Sequence, residues 1–143
     1  MKADAETEAA ILDVMNTFME AYEKGDLDGL MATIAPDADV VMFGTGADEK
    51  RVGPAEVRRQ AERDLAQADS IALSMGWHMI SAAGPVAWVS ADIAFKGSAG
   101  GQQFTLPGRA TVVFENRDGN WLMVNSHFSA PLGGQEEGES YPG

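Results

Sequence analysis

Asp92 and Arg109 are the residues of this chain whose types and spacing most directly suggest chemistry. If Gly100-Gly101 centres a turn between two antiparallel strands, the two side chains stand directly opposite each other on one sheet face. A carboxylate beside a fixed cation stays ionised, so Asp92 suits the work of a base or an orienter and not that of a proton donor at neutral pH. Arg109 cannot be a base, but its fork of donors fits a carboxylate, an enolate or a phosphate. Two readings stand side by side: a functional ion pair, or a pair that neutralises two partly buried charges. A bulge at Pro107-Gly108 would shift the register and separate them.

His127 supplies imidazole, the usual acid/base group near neutral pH. Its facing depends on the hairpin before it. A two-residue turn at Asp118-Gly119 pairs Thr111 with Ser126 and Arg109 with Phe128 and turns Ser126 and Phe128 inward; an odd-length turn brings His127 inward instead. Tyr22, Met42, Trp77 and Trp88, with Phe18, could wall an apolar cavity, the Tyr22 hydroxyl donating to a ligand. Ordinary core packing is the competing reading, and the preferred one for Phe18. His78 and His127 are the only histidines and stand in no metal-ligand spacing. With no cysteine there is no thiolate nucleophile or thiolate metal site. No metal and no other cofactor is expected.

The elements that must position these residues follow from periodicity. Ile11, Val14, Met15, Phe18 and Tyr22 share a helical face that Gly25 ends by adopting a left-handed cap. Asp26 caps a second, shorter helix carrying Leu27, Leu30, Met31 and Ile34, which Pro36 stops. Asp39 to Phe43 reads as a strand, Gly44 to Gly53 as a loop, and Pro54 as the start of a third helix with a thin stripe of Val57, Ala61 and Leu65. Four strands follow: Ile71 to Ala83, Val86 to Phe95, Phe104 to Glu115 and Trp121 to Ser129. Helices first and antiparallel strands after argue for an α+β fold.

At 143 residues the chain fits one domain, assigned to residues 1–132, with a glycine- and glutamate-rich tail over 133–143 expected to be disordered. A formal charge of −12 repels phosphate backbones and anionic bilayers, so neither nucleic acid nor a membrane is an expected partner. No apolar run approaches a bilayer span, and cytoplasmic is the expected address.

The order of elements, the break Glu23-Lys24-Gly25-Asp26-Leu27-Asp28, the entry Ala35-Pro36-Asp37-Ala38-Asp39-Val40, and the closing Asn116-Arg117-Asp118-Gly119-Asn120-Trp121 with His127-Phe128-Ser129-Ala130-Pro131 carry a resemblance. The chain is similar to the SnoaL-like members of the nuclear transport factor 2-like superfamily over about residues 7–131. That resemblance implies a cystatin-like cone: a bent antiparallel sheet wrapped on three helices in the N-terminal half, enclosing a pocket, and a homodimer through the outer sheet face. Matched onto ketosteroid isomerase-like members, Ala87 to Asp92 would send Trp88, Ser90 and Asp92 into the pocket with Arg109. The isomerase base position falls at or near Met42 and the second acid's position at Arg109, so steroid isomerase activity is not expected.

The superfamily hosts many functions, so fold does not supply one. The expected function is binding of a small, mostly apolar molecule with an anionic or carbonyl group. Asp92 and His127 are its catalytic candidates if acid/base chemistry of isomerase, cyclase or hydrolase type occurs. Tyr22, Met42, Trp77, Trp88, Ser90, Arg109, Ser126 and Phe128 are its ligand-binding candidates. The alternative is a non-catalytic association domain acting through its outer sheet face, which outward exposure of Met123, Val112 and Phe114 would favour.

Overall fold

Asp4 starts the first helix: its carboxylate accepts from the Thr7 backbone N–H at 2.8 Å, satisfying one of the free donors of the opening turn. Helix α1 (Ala5–Lys24) ends at Gly25, whose φ of 68° lets its N–H bond back to the Ala21 and Tyr22 carbonyls. Asp26 then accepts from the Gly29 N–H at 2.9 Å and opens α2 (Leu27–Met31). A computed structural model describes all 143 residues, and no helix in it is long and apolar enough to cross a membrane.

After α2 the chain docks on the last strand. Ala35 N–H donates to the Met123 carbonyl, and Met123 N–H donates to the Thr33 carbonyl, both at 2.9 Å. This anchoring delivers β1 (Val41–Phe43) parallel to β6 (Asn120–Ser129), with Met42 level with Ser126. The stretch read as a loop contains one more strand, β2 (Lys50–Val52), antiparallel to β1. It is only three residues long and alternates too briefly for a period-2 signal to emerge. Pro54 then opens α3 (Pro54–Gln67).

β3 (Ser70–Ala83), β4 (Val86–Ala99) and β5 (Gln102–Arg117) run longer than their apolar patterns suggest, because β4 and β5 continue as a polar hairpin up to the turn at Gly100-Gly101. The sheet order is β2-β1-β6-β5-β4-β3. Register breaks between Met75 and His78 in β3, and opposite Val113 and Phe114 at the β5–β6 pairing, help bend it over the helices. Residues 133–143 form no helix or strand and are exposed throughout.

Burial settles which side is which. Ala87, Val89, Ala91 and Ile93 of β4 and Ala110, Val112 and Phe114 of β5 are buried with Ile11, Met15 and Phe18 of α1 and with Val57 and Ala61 of α3. Their odd-numbered or even-numbered neighbours, including Trp88, Ser90, Asp92, Arg109 and Thr111, therefore occupy the outer face. Met123, Val112 and Phe114 are 2%, 0% and 0% exposed, which places them in the core and not on the outer surface.

Candidate functional site

Between α1, α3 and the inner face of the sheet lies a cavity of about 390 Å³, with 15 of its 23 lining residues hydrophobic. Phe18 and Tyr22 come from α1, Met42 from β1, Leu73 from β3, Phe95 from β4 and Phe128 from β6. Phe95 and Phe128 meet edge to face with centroids 6.3 Å apart. Gly108 makes room for this wall, since a Cβ there would come within 2.8 Å of the Phe95 ring.

One side of this apolar chamber carries a connected polar group. The Tyr22 hydroxyl donates to Asp64 Oδ2, and Gln60 Nε2 donates to Asp64 Oδ1 at 2.7 Å, so both carboxyl oxygens are held. Gln60 is itself fixed by Arg51 Nε, which donates to its Oε1 at 2.9 Å. Gln60 and Asp64 lie four residues apart on α3, on one helical face and therefore side by side. Glu49 reaches the same wall, tied to Arg63 at 3.0 Å, while Arg51 is the single cation lining the cavity and forms no ion pair within 4.0 Å.

Burial raises the Asp64 carboxyl pKa above its ordinary value, and the bonds from Tyr22 and Gln60 offset only part of that rise. Burial also raises the Tyr22 phenol, reinforced by the Asp64 charge, so its proton stays in place at any physiological pH. A carboxyl that holds a proton more tightly than usual and a phenol that keeps its proton are thus paired inside a mostly apolar chamber. That combination suits proton transfer to and from a bound molecule.

Ser126 lines the same cavity, is 1% exposed, and its buried hydroxyl has no hydrogen-bond partner in the protein. Of the residues singled out from sequence, the structure brings Phe18, Tyr22, Met42, Ser126 and Phe128 together around the chamber. It does not bring the others there. Asp92 pairs with Arg109 in register, through a β5 in which Pro107 and Gly108 cause no shift, but the two lie on the outer face and form no ion pair within 4.0 Å. Trp88 and Ser90 share that face. Alternation correctly groups these residues but cannot say which face is concave; the small residues Ala87, Ala91 and Ala110 take the crowded inner side.

Trp77 falls within the β3 irregularity, 61% exposed, and sits on the outer face with His127, Asp92 and Arg109 around an open depression. His127 also stands outside, its ring 5.2 Å from that of Phe43. The turn at Asp118-Gly119 does have two residues, but an extra residue in β6, Val124, moves the pairing to Thr111 with His127 and Val112 with Ser126. The bulge explains how Ser126 and Phe128 point inward while Arg109 and Thr111 point outward.

Asp64, Gln60, Arg51 and Glu49 were not among the residues singled out from sequence. The available signal was the weakness of α3 itself: a helix with only Val57 and Ala61 buried leaves its flanking polar positions beside whatever that stripe covers.

Comparison with known proteins places this geometry in context. The family model for the SnoaL-like domain matches residues 11–133. A nuclear transport factor 2-like superfamily protein from Salmonella enterica superposes with a TM-score of 0.84 at 17% identity, over 97% of this chain and all (100%) of that one. A candidate dehydratase of the same NTF2-like family from Streptomyces avermitilis gives 0.81 at 23% identity, covering 90% and 99% of the two chains. A candidate calcium/calmodulin-dependent protein kinase II association domain from Xanthomonas campestris gives 0.77 at 24% identity, covering 92% and 90%. No curated protein sequence matches.

Proposed function

The chain belongs to the SnoaL-like domain family, and we propose that its cone holds a small, mostly apolar carbonyl compound on which Asp64 and Tyr22 carry out proton transfer. The observation that carries this reading is the Asp64 carboxyl, held by Tyr22 and Gln60 in an apolar chamber that raises its pKa. In its ionised form Asp64 takes a proton from the carbon beside the ligand carbonyl, and the C–H electron pair moves into an enolate. The new Asp64 O–H then donates to the Tyr22 oxygen, freeing the Tyr22 O–H to donate to a ligand oxygen. Return of the proton to another carbon gives isomerisation; its delivery to a departing hydroxyl gives dehydration. Arg51, oriented through Gln60, adds positive potential on the same wall as negative charge develops.

The experiment is carbon-bound hydrogen exchange in D₂O, followed by NMR, over a panel of small cyclic ketones and β-hydroxy ketones. Deuterium should appear beside the carbonyl only with protein, and Asp64→Asn should abolish it while retaining binding. Exchange that survives Asp64→Asn would move the base elsewhere.

We further propose a homodimer through the outer sheet face. Trp77 and Met79, 61% and 56% exposed on that face, favour burial against a second copy. Asp92, Arg109 and His127 would then meet the partner and not the ligand. Light scattering should return twice the chain mass, and a monomer at tens of micromolar would refute it. An association-only role is less favoured, because Met123, Val112 and Phe114 lie in the core and the chamber is open.

A further inference from the structure

We infer that Ser126 is the oxygen-recognition residue of the chamber, and that the natural ligand places one neutral carbonyl or hydroxyl oxygen against it. The inference rests on the pocket reading above but not on proton transfer. A buried hydroxyl left without a partner destabilises the fold, so its presence calls for something the folded chain alone does not provide. Ser126 stands level with Met42 on one side and with Val112 on the other, and Val112 is fully buried. Alanine or valine at this position would have removed the unpaired hydroxyl.

The surroundings choose the oxygen's charge. Arg51 already donates to Gln60, and the other ionisable groups on the chamber wall are Glu49, Asp64 and Tyr22. A ligand carboxylate at Ser126 would be desolvated in an apolar wall with one neutral donor, whereas a ketone or alcohol needs only that donor. The hydroxyl both donates and accepts, so it serves either group. The ligand class is therefore a neutral, compact, mostly apolar ketone or alcohol; the cavity of about 390 Å³ lies at the small end of ligand sites.

The test compares three bicyclic probes, 2-tetralone, the hydrocarbon tetralin and the carboxylate 2-naphthoate, with the wild-type chain and with Ser126→Ala. Calorimetry or NMR titration gives their affinities, and thermal unfolding gives the stability of each free protein. The wild type should bind 2-tetralone about 10-fold or more tighter than tetralin, since a site built around a polar group discriminates against an analogue that leaves it unpaired. Ser126→Ala should shrink that ratio to within about 2-fold and leave the free protein as stable or more so. Asp92→Asn, on the outer face, should keep the ratio. Equal binding of 2-tetralone and tetralin to the wild type overturns the assignment while leaving the pocket reading intact. A preference for 2-naphthoate that Ser126→Ala removes overturns the neutral class. A clear loss of thermal stability in Ser126→Ala shows the hydroxyl to be satisfied within the fold and overturns the inference as well. Failure of all three probes to bind the wild type overturns this inference and the pocket reading together.

Discussion

The sheet presents carboxylates to two different environments. On the inner side Asp64 reaches across from α3 to the apolar wall, with Tyr22 on one oxygen and Gln60 on the other. On the outer side Asp92 stands directly across from Arg109, with His127 one strand further, all three exposed. By residue type the outer cluster is the richer: a carboxylate, a guanidinium and an imidazole. Yet it is the inner group whose protonation the fold displaces, because the removal of water and not the inventory of groups separates a charged form from its usual solvation. In the single chain the outer cluster is exposed, and solvent screens its charges.

The sharpest way to break this contrast is to neutralise one carboxylate on each side. Asp64→Asn should lower proton-transfer turnover by about 10²-fold or more, the usual worth of a positioned base, whereas Asp92→Asn and His127→Ala should stay within about 2-fold. Steady-state rates on any ketone that exchanges deuterium decide it, and a loss with Asp92→Asn equal to that with Asp64→Asn would reverse the roles of the two faces.

Core packing offers the next largest difference. Phe114→Ala removes a fully buried ring from the inner side and should cost about 3–5 kcal/mol in urea unfolding. Asp13→Asn, on the exposed side of α1, should stay within about 0.5 kcal/mol.

Titration sharpens the comparison further. Because burial raises the Asp64 pKa above 3.8, the folded chain binds this proton more tightly than the unfolded chain does. The group's contribution to stability is full below pH 3.8 and is lost as pH rises through the raised, folded value. The stability of the wild type minus that of Asp64→Asn should therefore fall across that window and then level off, which unfolding curves for both proteins over a pH series would reveal. If Asp64 is the base, kcat/KM should rise as pH passes through the same raised value.

What the sequence determined by itself was everything set by neighbours along the chain. Gly25 had to end α1 because glycine alone adopts φ of 68° without a Cβ penalty, and Asp26 could cap the next helix with its own carboxylate. Gly100-Gly101 placed Asp92 opposite Arg109, since a tight turn fixes antiparallel register. The α+β class and the family likeness followed from the order of such elements. Tertiary structure alone decided the rest. Alternation divides a strand into two sets without naming the inner one, so Trp88, Ser90, Asp92 and Arg109 changed sides once Ala87, Val89 and Ala91 packed under the helices. One extra residue at Val124 inverted the facing of β6 relative to β5, a step that no local pattern announces. Asp64 gained its partner from Tyr22, 42 residues away, and its displaced protonation from partial burial in the folded chain. Register and caps are short-range properties of the chain, whereas burial belongs to the assembled molecule, and in this protein the candidate chemistry depends on burial.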